Sequence, residues 1–232
     1  MKATSPFLVF VTLVLIASVS LGEQAAPPPP LTPSEYVWFF GFIPEGSWVS
    51  HHYLLRNTHP DTVTILEMIS VCDCTHIPKG PAIIPPGGTY LLETLFDSRT
   101  YFDETNRNIR VITNYKPNPN LDLYFGSIAA RNPNTLAIVP PSTAFIPGKQ
   151  NQSFIIKNLS EEKTAITVLI DNDSTMTVSE TSFSLPGKGE KEIIAAPRWE
   201  RFAPGSTYTC LVLEVARKET FRVSIPVKVN KF

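Results

Sequence analysis

The segment Cys72-Asp73-Cys74-Thr75-His76 concentrates the residue types that could do chemistry. All four histidines and two of the three cysteines fall between His51 and His76. Three chemistries fit. Thiolates two positions apart, with an imidazole two further on, could hold Cu(I) or Zn(II) through Cys72, Cys74 and His76, with His51 as fourth ligand; structural zinc sites more often space their cysteines by two. Cys72 and Cys74 could instead pair as a disulfide. Residues i and i+2 of an extended strand lie near the upper limit of disulfide Cα separation, so that bond needs a kinked loop and is easily reduced. Catalytic redox pairs normally carry two intervening residues at a helix start. The third reading is a structural loop, oxidised or packed, closing one end of a domain, with His51 bonded to core backbone.

The elements that must position this loop come in duplicate. His51-His52-Tyr53-Leu54-Leu55-Arg56-Asn57 recurs as Gln152-Ser153-Phe154-Ile155-Ile156-Lys157-Asn158, and Ile84-Pro85-Pro86-Gly87 recurs as Leu185-Pro186-Gly187. An offset of about a hundred residues means two copies of one unit. In the second copy the Cys-x-Cys-x-His loop is replaced by Asn172-Asp173-Ser174. Runs rich in Val, Ile, Thr, Tyr and Phe alternate with Pro, Gly, Asn and Asp clusters, and 22 prolines leave little room for helices. This pattern predicts an all-β chain of two tandem immunoglobulin-like β-sandwiches. Expected strands cover 36–42, 48–57, 63–71, 89–96, 108–114 and 121–127, then 136–139, 151–158, 165–170, 175–184, 190–195, 207–216 and 220–229. Alternation places His51, Tyr53 and Leu55 on the core face and His52 and Arg56 on the other. Antiparallel succession puts Cys72, Cys74 and His76 at the pole where the His51 strand starts, with His59 in the turn at the opposite pole.

Residues 1–22 read as a signal peptide: Lys2 is followed by an apolar run from Phe7 to Ala17 and then small residues. Residues 23–34 form a proline-rich tail, expected to be disordered. The first domain then spans 35–130 and the second 131–232. The chain is expected to be secreted or periplasmic, with no membrane insertion after cleavage. A net charge of −1 without basic clusters disfavours nucleic acid. Three cysteines allow at most one internal disulfide, so apolar packing must hold the fold; Cys210 reads as a buried, inert thiol. Trp38, Trp48 and Trp199 read as core or interface aromatics, and Asp171-Asn172-Asp173 as a turn. Asn151, Asn158 and Asn172 head Asn-x-Ser triplets. No nucleophile elbow, zinc-protease motif or phosphate loop is present, so neither a catalytic triad nor a cofactor is expected.

The combination His51-x-Tyr53-x-Leu55-x-Asn57-Thr58, Cys72-x-Cys74-Thr75, Pro86-Gly87 and Thr113-Asn114 resembles a bacterial exported domain family of unknown function with the pattern His-x-Phe-x-Phe-x-Asn-Thr-Gly, Cys-Gly-Cys-Thr, Pro-Gly and Thr-Asn. That family is similar to Hydin-type immunoglobulin-like domains, which are interaction modules. His59 replaces the usual Gly after Asn-Thr, and Asp73 replaces the Gly between the cysteines. The resemblance implies the sandwich fold and export and gives no reaction, since that family has no assigned activity; with no catalytic motif, the chain reads as a non-catalytic interaction or structural protein with an unknown protein partner. The alternative is a periplasmic soft-metal or thiol-redox protein using the Cys72–His76 loop.

Overall fold

The computed structural model describes residues 27–171 and 175–232. The expected signal peptide and Asn172-Asp173-Ser174 lie outside the described residues. The first unit contains β1 (Leu31–Pro33), β2 (Val37–Ile43), β3 (Trp48–Asn57), β4 (Val63–Ser70), β5 (Thr75–His76), β6 (Ala82–Ile84), β7 (Thr89–Asp97), β8 (Asp103–Thr113) and β9 (Asn120–Ala129). The second contains β10 (Leu136–Val139), β11 (Thr143–Phe145), β12 (Gln152–Asn158), β13 (Thr164–Leu169), β14 (Met176–Val178), β15 (Ser182–Leu185), β16 (Glu190–Pro197), β17 (Gly205–Ala216) and β18 (Phe221–Lys231).

The two sets have one topology. In the first unit β1-β3-β7-β5 form one sheet, and β6-β4-β8-β9-β2 face it; in the second, β10-β12-β16-β14 form one sheet, and β15-β13-β17-β18, with β11 on β18, form the other. A four-stranded sheet opposed to one built on the third, penultimate and last long strands is the immunoglobulin arrangement. Each sandwich encloses its own apolar cluster: Tyr53, Leu55, Leu92, Phe96, Leu123 and Phe125 in the first, and Phe154, Ile156, Ile193, Leu213, Ile225 and Val229 in the second. Burying each such side chain stabilises by about 1.5–3 kcal/mol, so the cores hold without staples.

Local hydrogen bonding repeats as well. Asn57 and Asn158 end equivalent strands and are both buried. Asn57 Nδ2 donates to the carbonyls of Asp61 and Ile84, and Asn158 Nδ2 to those of Glu162 and Pro186. Each side-chain oxygen accepts the amide two residues on, from His59 or Ser160. The asparagine thus satisfies turn backbone that the ladder leaves unpaired. This burial and bonding leave Asn158 no free amide nitrogen for a glycan.

Two features depart from the expectations. Leu31–Pro33, placed in the disordered tail by its prolines, is strand β1: it pairs with β3 from Leu31 opposite Asn57 to Pro33 opposite Leu55, and Leu31 is fully buried. Proline lacks only a donor, which an edge strand can spare. The segment expected as one strand over 175–184 is split into β14 and β15, which belong to opposite sheets.

The units are fused. β2 runs parallel to β9 and also meets β18, with Phe42 opposite Val223, which joins both larger sheets into a single ten-stranded sheet. Gly41, at φ 72° in the irregular stretch of β2, makes this possible: a Cβ there would lie 1.9 Å from the Arg222 carbonyl oxygen. Ser224 Oγ donates to Phe40 O and Arg222 Nη1 to Phe39 O across the same seam. Cys210 and Val212 of β17 belong to the first unit's core.

Candidate functional site

Strand β1 covers β3 only at its C-terminal end, which leaves the edge of β3 near Ser50 and His52 without a strand partner on that side. The second unit fills it with side chains. Asp171 Oδ1 accepts the His52 amide at 3.1 Å, and Cys210 Sγ donates to Ser50 O at 3.3 Å. His52 Nδ1 lies 2.8 Å from Asp171 Oδ2. His51, on the opposite face of β3, turns Nε2 to Glu35 at 2.9 Å and Nδ1 to within 3.2 Å of Asp171 Oδ1.

Burial works against charge on both His51 and Asp171. The hydrogen bonds and charges of Asp171 and Glu35 nevertheless hold His51 above its ordinary 6.5, and His51 and His52 hold Asp171 well below its ordinary carboxylate value. The Trp38 ring stacks on His51 with centroids 3.9 Å apart, and the Arg222 guanidinium lies 4.6 Å from the same ring. The indole thus stacks on the His51 imidazole and faces the guanidinium cation. With carboxylates against both of its nitrogens, His51 is not placed to activate a nucleophile; the cluster is a docking joint.

The expected ligand set is taken apart. Cys72 and Cys74 are bonded to each other, with Cα atoms 5.2 Å apart, so while the bond stands neither sulfur is a thiolate ligand. His51 is committed to the joint, and β7 separates its strand from β5, which carries His76. The His76 ring stacks on Trp48 at 5.2 Å, and Trp48 stacks on Tyr208 of the second unit at 5.1 Å. Among the described residues, no group of three or more His, Cys, Asp or Glu could hold a metal ion.

A further feature lies at the outer edge of the large sheet. β6 pairs with β4 only from Val63 to Ile65, whereas β8 pairs with β4 along its far side to Ser70. The stretch 67–70 therefore carries strand neighbours on one side alone. Leu66, Ile69, Val71 and Ile83 are exposed here, Ile83 at 73% and Val71 at 66%. Beside this edge, Met68, Cys72, Thr75, His76, Ile77 and Lys79 line an open cleft of about 370 Å³. The bulge at Leu66, between Ile65 and Glu67, bends the strand where β6 ends.

Residues 31–126 match a family described as "Protein of unknown function (DUF1573)". The matched segment carries the Asn57 turn, the Cys72–Cys74 loop and the open edge of β4. No curated protein matches the chain. Among solved structures, the chain is similar to a protein of unknown function from Porphyromonas gingivalis W83, at 11% identity and TM-score 0.36 over 87% of this chain and 99% of that one. It is also similar to the E. coli chaperone DraB, at 11% identity and TM-score 0.37 over 42% of this chain and 55% of that one. The ASH/PapD-like domain of human CEP192 is similar at 12% identity and TM-score 0.37, over 55% of this chain and all of that domain.

Sequence reasoning missed the joint because Asp171 reads as a turn residue and His52 as a solvent-facing one. The signal available was the pairing of two adjacent histidines with a lone wall of apolar strand, which does not name a carboxylate 119 residues away. No helix among the described residues is long and apolar enough to cross a membrane.

Proposed function

We propose that this chain is an exported, non-catalytic interaction module that binds an extended polypeptide segment along the free edge of β4. One observation carries the reading: the stretch 67–70 lacks a strand on its outer side and is bordered by exposed Leu66, Ile69, Val71 and Ile83. An unpaired edge offers a row of backbone donors and acceptors, and alternating apolar side chains give a partner strand its specificity. The immunoglobulin scaffold supports this role, since it supplies rigid edges without catalytic groups. Export is supported by the amino-terminal sequence.

Site-specific photo-crosslinking in the producing cell tests the reading. A photoreactive residue at Ile69 or Ile83 is expected to capture one discrete partner. The same probe at Ile155 or Ile194, exposed on the outer face of the second unit, is expected to capture none. Equal capture at all four positions, or no capture at the β4 edge, overturns it.

A further inference from the structure

We propose that the Cys72–Cys74 bond is a reversible thiol–disulfide exchange site that opens in the folded protein, with Cys72 as the sulfur attacked by an incoming dithiol. This goes beyond partner binding and does not depend on it.

Four observations converge. The bond encloses a single intervening residue, Asp73. Cross-links constrain the unfolded chain in proportion to the logarithm of the loop they close, so this ring contributes little as a staple. The loop is held in place without it: Thr75 N donates to Cys72 O, Ser70 Oγ donates to Cys72 O, and Asp97 N donates to Cys74 O. Opening the bond therefore leaves the backbone anchored. The two sulfurs are unequal: Cys72 is half-buried and lines the open cleft beside β4, whereas Cys74 is 8% exposed and packed in the first core. A reagent in the cleft meets Cys72 first. Finally, Thr75 Oγ1 lies 3.5 Å from Cys72 Sγ and 3.6 Å from Cys74 Sγ, within reach to donate to whichever sulfur departs.

The exchange balances as follows. A thiolate of the dithiol attacks Cys72 Sγ, a new S–S bond forms to Cys72, and the Cys72–Cys74 bond breaks. Cys74 leaves as thiolate, accepts hydrogen bonding from Thr75 and then takes up a proton. The second thiolate of the dithiol attacks its own sulfur in the mixed disulfide and expels Cys72 as thiolate, which is protonated in turn. The dithiol is oxidised to its disulfide, and the protein gains two electrons and two protons.

The test uses the full-length protein without denaturant. Dithiothreitol is added, free thiols are alkylated with a mass-shifting maleimide, and circular dichroism is followed in parallel. The expected result is two thiols appearing together with an unchanged spectrum, restored to none by oxidised glutathione once the dithiothreitol is removed, while the buried Cys210 reacts only after unfolding. In the single variants, Cys74→Ser is expected to form a mixed disulfide with oxidised glutathione at least about tenfold faster than Cys72→Ser. Reduction that occurs only once the spectrum collapses overturns the proposal. So does capture at Cys74 as fast as at Cys72. The wild-type reaction decides the matter if either variant fails to fold.

Discussion

At the residue scale the molecule turns on Asp171. One carboxylate takes the His52 amide and ring and lies against the His51 ring, and Glu35 closes the far side of His51. Tyr53 stacks edge-on against His51, and Glu93 sits opposite His52 on β7. Removing one partner of a buried pair leaves the other charge uncompensated, so Asp171→Ala is expected to cost about 3–5 kcal/mol in denaturant unfolding. The pH dependence follows from the directions of the shifts. Asp171 is depressed below its ordinary 3.8, so its contribution is complete above about pH 4 and fades as pH falls further. His51 is raised above 6.5, so its contribution is complete below that value and is lost as pH rises through the folded-state pKa. Stability from the joint should therefore plateau between about pH 4 and 6.5. Urea unfolding is expected to show greater stability at about pH 5.5 than at about pH 8.5, with most of that difference removed in His51→Gln. A difference that survives the substitution contradicts this role for His51.

At the element scale the defining device is the asparagine that closes the β3–β4 and β12–β13 turns. Each holds two carbonyls, and each is buried. Asn57→Ala and Asn158→Ala are each expected to destabilise by about 1–3 kcal/mol, because the turn loses two carbonyl bonds and one amide bond to a buried side chain. Chemical denaturation of both variants checks this, and a near-neutral effect in either unit contradicts the equivalence of the turns. These asparagines, and the alternation that buries Tyr53 with Leu55 and Phe154 with Ile156, were legible in the sequence because they repeat within a local window. Strands β3 and β10 fall where the pattern places them. Strands β1, β5, β6 and β11 were not legible: they are two or three residues long, rich in neighbouring proline, and exist through pairing with distant strands. The Cys-x-Cys-x-His spacing left a metal site with His51, a Cys72–Cys74 disulfide and a structural loop open, because spacing alone does not say which way each side chain turns; the structure carries the disulfide. Aromatic stacking holds the two histidine rings apart, His51 on Trp38 and His76 on Trp48.

At the scale of the whole molecule, one strand edge is closed and another is left open. The second unit seals β3 with Asp171 and Cys210, and β2 welds both larger sheets together through Phe42 and Val223. The repeat was visible in the sequence, but the weld was not, since it depends on a glycine at positive φ meeting the backbone of Arg222. At the other end, β4 keeps its outer side free over 67–70. Unpaired strand amides exchange with solvent far faster than bonded ones, because no opening event is needed. Amide hydrogen exchange of the intact chain, resolved by residue, therefore reads both edges at once. The expected result is strong protection at His52, lost in Asp171→Ala, together with fast exchange at the outward amides of 67–70 in the free protein. Fast exchange at His52 in the native chain, or protection along the whole outer side of β4 without a partner, would contradict the arrangement of one sealed and one open edge.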